Sequence, residues 1–193
     1  MLISGGQTGV DRAALDFAMA AGIPCAGWCP AGRRAEDGRI PDRYQLKEAS
    51  SATYQQRTRL NVKDADATLI FTAPVQSRGT ALTAECCHAL RRPFMVVDIA
   101  AGFITRNGQN PQEEQTDATN LSEPVKKVMK PEKILAWLHL VKPRILNIAG
   151  PRASECPEAA EIVVSFLSTL LTRSDRTAPA WPPPRPFTPD LPL

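Results

Sequence analysis

Histidine is almost missing from the 193 residues. Only His88 and His139 occur, and neither stands at a ligand spacing such as two histidines four apart around an acid, so no zinc or iron centre is signalled. Long apolar runs are also lacking. No stretch approaches the ~18 residues that cross a bilayer, which argues against a membrane span. The opening Met1-Leu2-Ile3-Ser4-Gly5-Gly6 has neither the basic region nor the small-residue cleavage site of a leader, and the cytoplasm is the expected compartment. Excess charge of one sign is absent too: 23 basic against 20 acidic residues leave +3, too even a balance for a nucleic-acid footprint. The cysteines number five, an odd count without a paired framework, which fits reduced thiols better than a disulfide scaffold.

What is present is an alternation of strand and helix patterns. Hydrophobic residues make up 43% of the chain, enough for one core, and residues 1–175 are expected to form a single domain. Leu2–Ser4 reads as a short strand, and Gly5–Asp11 as a glycine turn. Arg12–Ala21 reads as an alanine-rich helix, apolar nearly all round, with Asp11 as its cap and Gly22 at its end. Strands are expected at 23–29, 67–72, 94–99 and 144–149, and further helices at 53–63, 80–90, 132–141 and 158–171. This predicts an α/β fold, a Rossmann-like open, mainly parallel sheet with helices on both faces. Residues 106–130 are polar and read as an insertion. The end, 176–193, holds Pro182-Pro183-Pro184 and four further prolines, and reads as an extended, disordered tail or a docking segment.

The candidate chemistry lies in turns that follow strands, because ligands of open parallel sheets bind beyond the carboxyl ends of the strands. In the first turn Gly5, Gly6 and Gly9 let backbone approach an anion, Thr8 offers a hydroxyl and Gln7 an amide. The same glycines also serve to seat a helix tightly on a sheet. Asp11 would repel a phosphate, which leaves it as helix cap, sugar-hydroxyl acceptor or metal contact. A second turn, Ser77-Arg78-Gly79-Thr80, brings a cation, free backbone and a capping hydroxyl, with Glu85 beyond it facing either ligand or solvent. A third, Asn147-Ile148-Ala149-Gly150-Pro151-Arg152, adds Gly150 and Arg152. Together the three turns predict one composite pocket for a phosphate-bearing small molecule. The pattern is neither Gly-x-Gly-x-x-Gly nor a P-loop.

Two long strings, Gly5-Gly6-Gln7-Thr8-Gly9-Val10-Asp11-Arg12-Ala13-Ala14-Leu15-Asp16 and Gly27-Trp28-Cys29-Pro30-Ala31-Gly32-Arg33-Arg34-Ala35-Glu36-Asp37-Gly38, resemble the molybdenum carrier family. So do Arg57-Thr58, Asn61-Val62, Asp66–Phe71, Gly79–Thr83 and Asn147–Arg152, so that the likeness spans roughly Ile3 to Leu167. The resemblance implies a Rossmann-like fold shared with lysine-decarboxylase-like, LONELY GUY and DNA-processing proteins. It also implies binding of molybdenum cofactor (molybdopterin), a phosphorylated pterin, with molybdoenzymes or cofactor-synthesis proteins as partners. A homo-oligomer is expected by analogy with related folds.

The enzyme alternative comes from the LONELY GUY relatives, which cleave nucleoside monophosphates and whose signature resembles Pro-Gly-Gly-x-Gly-Thr-x-x-Glu. Here Gly79-Thr80 is kept, Ser77-Arg78 replaces the leading glycines, and Glu85 falls two places late. In an enzyme Glu85 and Asp11 are the carboxylates available for glycosidic cleavage. A nucleotide-sensing module is a third reading. Arg33, Arg34, Glu36 and Asp37 form either a solvated set of salt bridges or, through Arg33, a lid over the ligand. The cysteines read as small buried hydrophobes, Cys29 being the one placed to reach molybdenum.

Overall fold

The computed structural model describes residues 1–73, 77–99 and 131–174. The expected insertion at 106–130 and the tail at 176–193 lie outside them. Strand β7 (Ala67–Thr72) shows how the sheet is built. Its first five residues are all buried, as befits a parallel strand covered on both faces. Successive side chains point to opposite faces. Leu69 and Phe71 therefore join one core, where the Phe71 ring meets Phe166 edge-on at 5.4 Å, and Ile70 joins the other with Val62, Cys86 and Cys87.

Around β7 stand β1 (Leu2–Ile3), β2 (Cys25–Ala26), β8 (Phe94–Asp98) and β9 (Leu146–Ala149), in the order β2-β1-β9-β7-β8 with every pairing parallel. The first core packs the sheet against α1 (Val10–Ala20), α4 (Pro131–Val141) and α5 (Ala159–Ser174), and the second against α2 (Tyr54–Asp64) and α3 (Arg78–Ala89). This is the α/β Rossmann-like architecture. Leftward and rightward crossovers of one hand send their helices to opposite faces, which accounts for the sorting. No helix among the described residues is long and apolar enough to cross a membrane.

Four local expectations need correction. The strand expected at 23–29 is broken at Gly27, whose φ of 146° and close approach to the Ser4 carbonyl turn the chain out of the sheet. β3 (Trp28–Cys29) pairs instead with β6 (Lys47–Glu48). The charged loop after it folds into a short 3-10 turn at Ala31–Arg33 and a hairpin of β4 (Arg34–Ala35) and β5 (Gly38–Arg39). Helix α1 is capped by Gly9, not Asp11, and its Asp16, Met19 and Ala20 are exposed, so one flank meets solvent. Helix α3 begins two residues before Thr80, because Ser77 supplies the cap.

Candidate functional site

Counted from β9, the sheet reads 3-2-1-4-5, the usual order of a dinucleotide-binding fold. The strand that such folds place first and at the centre comes last here. Order reverses between β9 and β7, and the crevice outside the carboxyl ends of those strands is where such a sheet takes its ligand. A cleft of ≈ 450 Å³ lies there, within the usual size range of small-molecule sites. It brings together residues from all three expected turns: Gln7 after β1, Ser77, Arg78 and Gly79 after β7, and Gly150 and Arg152 after β9. Glu85 lines it from α3. Helix α2 adds Tyr54, Arg57 and Thr58, which the reading of turns missed. Their spacing of three and four residues puts them on one helical face, and that pattern is the signal that finds them.

The first turn is filled from within. The amide of Gln7 donates to Asp11 Oδ2 at 3.3 Å, and that of Thr8 donates to Gln7 Oε1 at 3.1 Å. These two donors are committed to the protein, contrary to the expectation that the turn turns its amides to an anion. Asp11 is buried beneath the turn and paired with Arg57 at 3.2 Å. Burial pushes its carboxyl above the ordinary range, against the opposing pull of the Arg57 charge and the Gln7 amide. Arg57 Nε is buried and has no hydrogen-bond partner among the described residues.

The second turn caps α3 through Ser77. Ser77 Oγ accepts from the Thr80 amide at 3.1 Å, and the Thr80 hydroxyl donates back to the Ser77 carbonyl at 2.9 Å. The amides of Arg78 and Gly79, at the first two positions of α3, have no intrahelical acceptor and carry the positive end of the helix dipole. Arg78 is exposed and forms no ion pair among the described residues. Thr83 occupies the place of the nucleosidase signature glutamate, and its hydroxyl donates to the Gly79 carbonyl at 2.9 Å. Glu85 is exposed on the cleft wall, two residues further along α3.

Arg33 does not reach the cleft. Its guanidinium is buried and donates to the carbonyls of Ile40, Pro41, Tyr44 and Leu46 at 2.9 to 3.1 Å, so it knots the 40–46 loop instead of covering a ligand. Cys29 is fully buried, burial raises its thiol, and it does not line the cleft. Thr8 and Gly9 stand behind the cleft, Thr8 bonded to Glu36 and Gly9 pressed against the Pro151 carbonyl and the Ala153 amide.

A sheet whose central strand closes the chain is a permuted form of the usual order. The model of the circularly permuted YpsA SLOG family matches residues 2–171. The chain belongs to that family. It is also similar to the crystal structure of a "Putative molybdenum carrier protein" from Syntrophus aciditrophicus SB. The two are 35% identical, with 88% of this chain and 93% of that one covered and a TM-score of 0.71. The resemblance read from the two glycine-rich strings is thereby upheld. No curated protein matches the chain.

Proposed function

We propose that this SLOG-family protein binds a phosphate-bearing small molecule in the switch-point cleft, with the phosphate on the start of α3. The observation that carries the reading is that the first two amides of α3, which have no intrahelical acceptor, and Arg78, without an ion pair among the described residues, belong to one cleft with the Arg57 side chain on its wall. Such a set of donors suits a dianion. In this reading a flat heterocycle lies against Tyr54 and Leu82, and the molybdenum cofactor is the ligand; the name of the similar structure supports a molybdenum-related ligand. In this reading the donors of the cleft address the phosphate, and every cysteine lies off the cleft. Carriage is favoured over hydrolysis of a nucleotide because a back-bonded threonine stands where the nucleosidase signature has its carboxylate.

Calorimetric titration with molybdenum cofactor released from a molybdoenzyme, and with AMP, tests the proposal. Binding of the cofactor is expected, weakened at least about tenfold by Arg78→Ala, since a charged hydrogen bond contributes about 1.5–3 kcal/mol. Release of free adenine from AMP, abolished by Glu85→Ala, would overturn carriage in favour of hydrolysis. Binding of AMP in preference to the cofactor, without turnover, would favour nucleotide sensing.

A further inference from the structure

Behind the cleft, the first turn and the turn after β9 close around a carboxylate that the proposed function does not use. Glu36 sits in the bend between β4 and β5. One of its oxygens accepts from the Thr8 hydroxyl and from the Ser154 amide, the latter at 3.2 Å. The other accepts from the Ser154 hydroxyl at 2.5 Å, with Arg152 Nε 3.8 Å away. The Glu36 amide in turn donates to Gln7 Oε1 at 2.9 Å. Burial pushes the carboxyl up, but the bonds from Ser154 and Thr8 and the charge of Arg152 outweigh it and hold Glu36 below the usual range. Two hydroxyls, one amide and a guanidinium are the donor set that phosphate oxygens take as readily as carboxylate oxygens.

We propose that this cradle is a second oxyanion site, distinct from the cleft, which Glu36 fills from within and which inorganic phosphate or a phosphate monoester enters when Glu36 swings out. The exchange leaves the hairpin attached. Asp37 stays paired with both terminal nitrogens of Arg12, at 2.5 and 2.7 Å, and Arg12 Nε donates to the Gly6 carbonyl at 3.1 Å. Only one side chain must move. Glu36 competes as an intramolecular ligand, so its removal frees the cradle for phosphate. Arg152 faces both the cradle and the cleft and is also paired with Glu155 at 3.2 Å, so it ties the two sites together.

The test is titration with inorganic phosphate. Glu36→Ala is expected to bind it at least about tenfold more tightly than the wild type. The gain should vanish when Thr8→Val and Ser154→Ala are added, and persist when Arg78→Ala is added instead. Unchanged affinity in Glu36→Ala, or a gain that survives loss of both hydroxyls, overturns the proposal. A gain lost with Arg78→Ala assigns the phosphate to the cleft and overturns it equally. Should Glu36→Ala fail to fold, Glu36→Gln, which keeps the shape of the side chain and drops its charge, decides: it must bind phosphate more tightly than the wild type, and unchanged affinity refutes the exchange. None of these outcomes depends on the cleft binding a pterin.

Discussion

Replacing Arg57 with methionine removes a buried charge partner while keeping the unbranched apolar stem of the side chain. Asp11 then keeps the Gln7 amide at 3.3 Å and loses the guanidinium at 3.2 Å. Opposite charges at that distance attract by about 5 kcal/mol at an effective dielectric near 20. Removing one member of a buried pair costs about 3–5 kcal/mol in practice. Both side chains are mostly buried, 14% and 3% exposed, so solvent screening does not erase the effect. We expect Arg57→Met to lose about 3–5 kcal/mol near neutral pH, a large share of the ~5–15 kcal/mol that holds a domain folded.

The loss depends on pH with a definite sign. Burial raises the Asp11 carboxyl and Arg57 restrains the rise, so the variant lifts it further. A carboxyl raised in the folded state gives stability that is full below its unfolded pKa and is lost as pH climbs through the folded value. The deficit of Arg57→Met must therefore shrink on acidification from about pH 7 toward about pH 4, as the raised Asp11 carboxyl takes up its proton. Urea unfolding of the wild type, Arg57→Met, Asp11→Asn and the double variant at both pH values measures it. The double variant, with no charge left to strand, should recover more than half of the loss. A deficit equal at both pH values, or single losses that simply add in the double variant, would refute the account.

Three further outcomes follow from individual contacts. Arg33→Lys should cost about 3 kcal/mol or more in urea unfolding, because an ammonium cannot serve the four carbonyls of residues 40–46, while ligand affinity of the folded fraction stays unchanged. Gly27→Ala should cost at least about 3 kcal/mol or leave the protein insoluble on expression, since its φ is 146° and the added methyl strikes the Ser4 carbonyl. Ser77→Ala should lower stability by about 1 kcal/mol through loss of the α3 cap, and Ser77→Asp should restore it, as thermal unfolding will report.

The parts of the fold legible in the sequence were those with a local signature. β7 was read to the residue, because a strand buried on both faces is a continuous apolar run bounded by polar ends. The break at Gly27 was not, because Cys25 to Cys29 carries the same β-compatible residues on either side of a glycine whose angle only the neighbouring Ser4 dictates. Arg33 was misread for a related reason. A guanidinium in a charged loop has the same sequence context whether it faces water or turns inward under four carbonyls. Of the site, the three turns were visible as glycines and hydroxyls behind strands. Arg57 stands out in the sequence only through a string shared with the molybdenum carrier family, since the composition of α2 does not place that side chain against the first turn until the helix is laid on the sheet.

The order of strands explains why the richest glycine turn is not the open one. In the unpermuted arrangement the turn after the first strand is also the turn after the central strand, and phosphate sits there. Here those two positions are separated. The N-terminal turn follows β1, one strand off centre, and the turn after central β9 is Gly150-Pro151-Arg152. At its off-centre place the first turn has neighbours on both sides. Gly5 makes room for the Arg57 and Asp11 side chains, and Gly9 lets the backbone of Pro151 and Ala153 come within 2.6 to 2.8 Å of where a side chain would begin. Its glycines thus serve close packing, and the amides of Gln7 and Thr8 go to Asp11 and Gln7. The turn after β9 is short of donors, because the Arg152 amide faces Glu155 and Pro151 has none to offer. The helix after β7 brings to the switch point two amides, of Arg78 and Gly79, that have no intrahelical acceptor. An anion drawn to this edge of the sheet meets α3 first, which is why Arg78, and not the glycine string, is the residue whose removal must weaken binding.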